Sequence, residues 1–192
     1  MIITISGTPG SGKSTVAKLL SEKLHASRIY VGGIRRELAT KKKMTLEELN
    51  DYALTHPETD VDVDMAAAAE ARLLVKKGKV VIVEGRTQFH FLPESLKLFI
   101  DVDPKEGARR IWGAMKNDPA RKNEGSATTL RDVEKLTCER EENDQKRYQK
   151  YYHFDYRDRS YYDLVIDTTM LSKEKVFEKV LMFVEKNKKA YK

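Results

Sequence analysis

The chain has 192 residues, 34 % of them charged and 40 % hydrophobic, which suits one domain with a single core and leaves no apolar run near the about 20 residues that span a bilayer. Thirty-six basic against thirty acidic side chains give a net charge of +6, a surplus that attracts nucleic acid or a polyanionic small molecule such as a nucleotide, without choosing between them. One cysteine, Cys138, excludes an intramolecular disulfide, and the histidines at 25, 56, 90 and 153 are too scattered for a zinc set, so a reducing cytoplasm is expected.

Short β-rich runs alternate with longer stretches of helical period, and there is no internal repeat. The first strand is expected over Ile2 to Ser6; Met1 leads directly into it with no basic leader ahead. Gly7-Thr8-Pro9-Gly10-Ser11-Gly12-Lys13-Ser14 then fits G-x-x-x-x-G-K-[ST], followed by a helix with Val16, Leu19, Leu20 and Leu24 as its apolar stripe. The backbone N–H groups of such a loop converge on phosphates at a helix N-terminus. Lys13 is expected to reach the β- and γ-phosphates, Ser14 to ligate Mg²⁺, and Thr15 to add a hydroxyl near the α-phosphate, so residues 7–15 form the expected ATP site.

A second strand is expected over Arg28 to Val31, after which Thr45 and Glu48 form a capping box for a helix that Pro57 ends. A long helix follows from about Val61 to Lys77, with Gly78 as its stop. Two helices over residues 32–77, where one crossover suffices, mark an inserted lobe. The third strand, Val80 to Val83, ends in Glu84-Gly85-Arg86, which places Glu84 beside the phosphate loop to hold a Mg²⁺-bound water and Arg86 within reach of a phosphate. Leu98 to Val102 is the fourth strand, and Asp103, Pro104 and Glu106 have helix-start chemistry. A polar loop over 116–128, with Pro119 and Gly125, is the second insertion. Arg140, Asp144 and Arg147 share one helix face, a spacing that serves either an ion-pair ladder or a binding surface. Leu164 to Asp167 closes the strand set, and Ser172 caps a helix that buries Val176, Val180, Leu181 and Val184. The expected fold is an α/β P-loop NTPase: one domain over 1–192, a five-stranded parallel sheet flanked by helices, with two inserted regions.

With these residues in view, the chain resembles the nucleoside monophosphate kinases, and within them the cytidylate kinases of the short archaeal type, over nearly its whole length. Gly32-Gly33-Ile34-Arg35-Arg36-Glu37-Leu38-Ala39 is similar to the family's G-x-I-x-R-E-x-A segment, departing at Gly33 where an acidic or polar residue is usual. The resemblance makes Arg36 the grip on the acceptor monophosphate and leaves Arg35 on a solvated face. It makes 32–77 the monophosphate-binding lobe and about 112–130 the lid, and within that lobe Asp60 and Asp64, one helical turn apart, suit either the acceptor base or the dipole at a helix start. It gives Arg140 and Arg147 to the phosphates and Asp144 to the acceptor sugar, and makes Arg110 a lid arginine. Tyr162-Asp163-Leu164-Val165-Ile166-Asp167-Thr168-Thr169 looks like the family strand whose turn lies near the donor adenine.

The implied activity is transfer of the γ-phosphate of ATP to CMP and dCMP, with Lys13, Arg110, Arg140 and Arg147 catalytic, Mg²⁺ as cofactor, nucleotides as the only partners, no membrane, and a monomer. A kinase for AMP or UMP is the near alternative. A second comes from the aromatic and basic residues between Tyr148 and Tyr162, which suit either an RNA-associated P-loop ATPase or rings that pack the preceding helix onto the sheet.

Overall fold

The computed structural model describes residues 1–117 and 127–190, without the side chains of 116 and 117. Its strands are β1 (Ile2–Gly7), β2 (Ser27–Tyr30), β3 (Val81–Glu84), β4 (Leu96–Asp101) and β5 (Leu164–Asp167), in the sheet order β2-β3-β1-β4-β5. Every pairing is parallel. The helices among the described residues are α1 (Lys13–Leu24), α2 (Val31–Lys41), α3 (Leu46–Tyr52), α4 (Glu58–Lys76), α5 (Gln88–Phe91), α6 (Pro104–Asn117), α7 (Leu130–Tyr152) and α8 (Lys173–Asn187). No described helix is long and apolar enough to cross a membrane.

Strands covered on both faces need apolar residues at successive positions, as β1 and β3 show. On one face Ile3, Ile5, Ile82, Leu98 and Ile100 pack with Val16 and Leu20 of α1 and Val176, Val180 and Val184 of α8. On the other, Ile2, Ile29, Val81 and Val83 meet Ala67, Ala68 and Ala71 of α4, whose small side chains allow close approach. A third cluster, Phe89, Phe99, Tyr148, Phe154 and Tyr156, fastens the end of α7 to β4. Phe154 and Tyr156 are buried and Tyr152 and Tyr162 pack against them, in line with the packing alternative, while Tyr161 is exposed.

Three local expectations change. Strand β2 ends at Tyr30, and Val31 begins α2 instead of extending the strand. The segment from 32 to 77 holds three helices, since the glycine pair does not prevent α2 from forming. Pro57 is the N-cap of α4, which therefore starts at Glu58 and not near Val61. The capping box of Thr45 and Glu48 forms as expected. Part of the expected lid, residues 118–126 with Pro119 and Gly125, lies outside the described residues.

Candidate active site

The carboxyl ends of β1, β3 and β4 bring the phosphate loop, Glu84 and Asp101 together. Gly10 at φ 72° and Gly12 at φ 87° take left-handed conformations that L side chains rarely adopt. Gly10 is also sterically required, because a Cβ there would lie 2.2 Å from the Gly107 carbonyl oxygen of α6. Gly12 is the N-cap of α1 and offers no side chain to its first N–H groups, which leaves them suited to an anion. The Lys13 ammonium donates to the Thr8 carbonyl at 3.3 Å, and the Thr8 hydroxyl donates to Asp101 Oδ1 at 3.1 Å.

Glu84 is 1 % exposed and receives two partners, the Ser14 hydroxyl on Oε1 and the Arg28 guanidinium on Oε2. Among the described residues no group of three or more His, Cys, Asp or Glu side chains could hold a metal. A carboxylate and a hydroxyl in contact at a phosphate-loop helix start nevertheless fit a hard divalent cation whose other ligands are phosphate oxygens and water. The neighbouring Arg28, a basic residue on the edge strand β2, was not singled out from the sequence; its place in an expected strand was the only signal.

Arginines and carboxylates alternate behind this point. Arg35 pairs with Asp60; Arg147 Nε donates to Asp60 Oδ2 at 2.8 Å; Arg147 Nη2 donates to Asp144 Oδ1 at 2.5 Å; Asp144 pairs in turn with Arg86. A cavity of about 120 Å³ is lined by Lys13, Ser14, Arg36, Arg86, Arg140 and Asp144, so the phosphate-loop lysine and four of the residues expected on the acceptor side share one space. Arg36 donates to the Tyr30 hydroxyl and to the Gly32 carbonyl, the latter at 3.3 Å.

Two expectations are corrected by this network. Arg35 is not on a solvated face: its side chain is 11 % exposed, lines the same cavity, and donates to Asn50 Oδ1 at 3.0 Å as well as to Asp60. Arg147 does not open onto the cavity. Its side chain is fully buried, and its remaining nitrogen donates to Asn143 Oδ1 at 2.8 Å and the Asn50 carbonyl at 3.2 Å, so all three nitrogens are engaged. The helix face at 140, 144 and 147 therefore divides, with Arg140 and Asp144 lining the cavity and Arg147 beneath it.

Asp60 and Asp64 both line the cavity, and both carboxylates have protein partners. Asp64 accepts from the Thr87 hydroxyl at 2.8 Å, from Gln88 Nε2 at 2.9 Å and from the Tyr152 hydroxyl at 2.9 Å. Burial pushes its carboxyl up to about 6, against which the Thr87 hydrogen bond acts. The Asp64 carboxylate likewise holds the Tyr152 phenol above its ordinary range, after burial as the main cause.

A larger cleft of about 780 Å³ opens on the other side of the loop, between Gly10–Val16, α6 and the turn after β5. Arg110 lines it, donating to the Thr168 hydroxyl at 3.0 Å, the Thr168 carbonyl at 2.8 Å and Glu106 at 2.8 Å. Hydrogen bonds from Arg109 and then Arg110 bring the Glu106 carboxyl down to about 2. The turn expected beside the donor base is thus on the cleft that the phosphate loop borders.

A five-stranded parallel sheet, a phosphate loop between β1 and α1, and two spaces meeting at Lys13 define a P-loop kinase. Residues 3–140 match a family described as an AAA domain. The chain is 39 % identical to the cytidylate kinase of Archaeoglobus fulgidus over 98 % of this chain and 97 % of that one, and 34 % identical to the cytidylate kinase of Methanocaldococcus jannaschii over 98 % and 100 %. It belongs to the cytidylate kinase family. The solved shikimate kinase of Acinetobacter baumannii in complex with shikimate shares the fold, at a TM-score of 0.56 and 18 % identity over 97 % of this chain and 94 % of that one.

Proposed function

We propose that this kinase transfers the γ-phosphate of ATP to CMP, and also to dCMP, giving ADP and CDP or dCDP. The observation that carries this reading is the shared cavity: Lys13 and Ser14 of the phosphate loop face Arg36, Arg86, Arg140 and Asp144 across one space, as a donor γ-phosphate and an acceptor monophosphate must meet. ATP takes the larger cleft, with its phosphates on residues 7–15 and its base toward the turn after β5. The acceptor phosphate lies against Arg36, Arg86 and Arg140, and Asp144 takes the sugar. Ser14 and Glu84 hold Mg²⁺, which when bound neutralises charge on the transferring phosphoryl group.

Phosphoryl transfer chiefly needs alignment and charge neutralisation, so a direct in-line displacement asks for no covalent intermediate and no dedicated base. Lys13 and the cavity arginines supply fixed positive charge where the transferring oxygens become most negative, and Arg110 holds the α6 wall of the donor cleft. Arg147 acts as a positioning residue through Asp60 and Asp144. Closure of the lobe at 32–77 over the substrates excludes the water that would otherwise take the phosphoryl group. The exposed, unpaired thiol of Cys138 suits the cytoplasm.

The test is a screen of labelled γ-phosphate transfer from ATP to CMP, dCMP, UMP, AMP and GMP. CMP and dCMP are expected to give the highest kcat/KM; preference for AMP or UMP overturns the acceptor assignment. ATP hydrolysis stimulated by RNA with no phosphorylated monophosphate overturns the kinase reading itself.

A further inference from the structure

The feature that the proposed reaction leaves unused is Arg28. It lies on β2, the edge strand, with Tyr30 two residues further on the same face, and Tyr30 is in register with Glu84. A side chain at 28 is thus a diagonal neighbour of Glu84 on the face that carries α1 and Ser14, and a long basic one reaches the carboxylate. The guanidinium holds Glu84 by one Nη atom, while its Nε is buried with no hydrogen-bond partner among the described residues. Its other neighbour is the Tyr30 ring, 5.0 Å from the guanidinium carbon. Burial of the two partners is unequal: the Arg28 side chain is 26 % exposed, the Glu84 side chain 1 %.

This asymmetry has a physical consequence. A carboxylate buried to that degree needs a partner that offsets its lost hydration and fixes it in place. A half-open arginine held at one atom is such a partner and can also let go, since its head reaches solvent when the carboxylate is taken. We propose that Arg28 is the resident counter-cation of Glu84, a positioning residue that holds the carboxylate toward Ser14 before the nucleotide arrives and that competes with the nucleotide-bound divalent cation for it. The proposal rests on the assignment of Ser14 and Glu84 to the cation and adds that this chain sets its own cation affinity from β2.

The experiment measures binding and not turnover. Mn²⁺ is titrated into the protein saturated with a non-hydrolysable ATP analogue, and free Mn²⁺ is read by electron paramagnetic resonance. Arg28→Gln is expected to tighten Mn²⁺ binding by about fivefold or more, because the charged competitor for the Glu84 carboxylate is gone. Arg28→Lys, which keeps the charge, is expected to stay within about twofold of the parent. On a Glu84→Gln background, Arg28→Gln is expected to have no effect, as a double-mutant cycle requires of a contact made only through that carboxylate. Should Arg28→Gln fail to fold, Arg28→Met removes the same charge and is read in the same way. Unchanged Mn²⁺ affinity in the charge-removing variant overturns the proposal, and so does weakened affinity, which would make Arg28 a support for the ion and not its competitor. No ternary complex even in the parent protein would instead sink the phosphate-loop assignment, so the two failures are distinguishable.

Discussion

Replacing Arg147 with alanine tests the buried network most directly. The side chain is fully buried and bridges two carboxylates that are each 3 % exposed. Its loss leaves Asp60 with Arg35 alone and Asp144 with Arg86 alone, and strips the hydrogen bonds to Asn50 and Asn143. Deleting one member of a buried ion set, with its partners still charged, costs about 3–5 kcal/mol. For a chain of this length that corresponds to a fall of roughly 10 °C in Tm. The assay is urea unfolding followed by circular dichroism, with steady-state kinetics at a temperature where the variant is still folded. There the KM for CMP is expected to rise while the KM for ATP holds, since Asp144 lines the acceptor side. A stability loss under about 1 kcal/mol, as for an exposed pair, refutes the argument.

Lys13→Ala is expected to leave a folded protein whose phosphotransfer falls by about a hundredfold or more, since a preorganised donor to the transition state is gone; near-normal turnover refutes the phosphate-loop assignment. Arg36→Ala is expected to weaken CMP binding far more than ATP binding in calorimetric titrations, and equal losses remove Arg36 from the acceptor site. Asp64 is a pH prediction. Its carboxyl titrates at about 6 in the fold against an ordinary 3.8, so the folded state holds a proton that the unfolded chain has already lost. The stability this gives is full below about pH 4 and is lost as pH rises through 6, by about 3 kcal/mol in all. Asp64→Asn cannot titrate, so the variant's stability relative to the parent is expected to improve between pH 4.5 and 7.5; a constant difference across that range refutes the burial argument.

The sheet was legible because its signals are local. Most of the strands are short apolar runs, and all five fall within two residues of expectation at either end. The phosphate loop was legible for the same reason, its glycines, lysine and hydroxyl all lying in eight consecutive residues. Burial of the charged residues was not. Helical period places Arg140, Asp144 and Arg147 on one face, but it does not say which of them another element covers. The partner that buries Arg147 is Asp60, 87 residues away, and the one that holds Glu84 is Arg28, 56 residues away. An arginine with a distant carboxylate and one in water look alike in sequence, which is why Arg35 was assigned to solvent.

The departure at Gly33 has a physical reason that only the folded chain supplies. A Cβ on Gly33 would stand 2.8 Å from Tyr30 Cδ1, and one on Gly32 would stand 2.9 Å from Cε2, so the first turn of α2 lies directly on the tyrosine ring. Two glycines in a helix cost about 1 kcal/mol each relative to alanine, and α2 forms despite this because the ring fills the space their side chains would take. The ring cannot move aside freely, since Arg28 lies 5.0 Å and Arg36 5.7 Å from its centre and Arg36 also holds its hydroxyl. Position 33 is therefore small because position 30 is large. The same ring is in contact with both the arginine on Glu84 and the arginine expected on the acceptor phosphate, so the two charged centres share a rigid aromatic neighbour and not a flexible one.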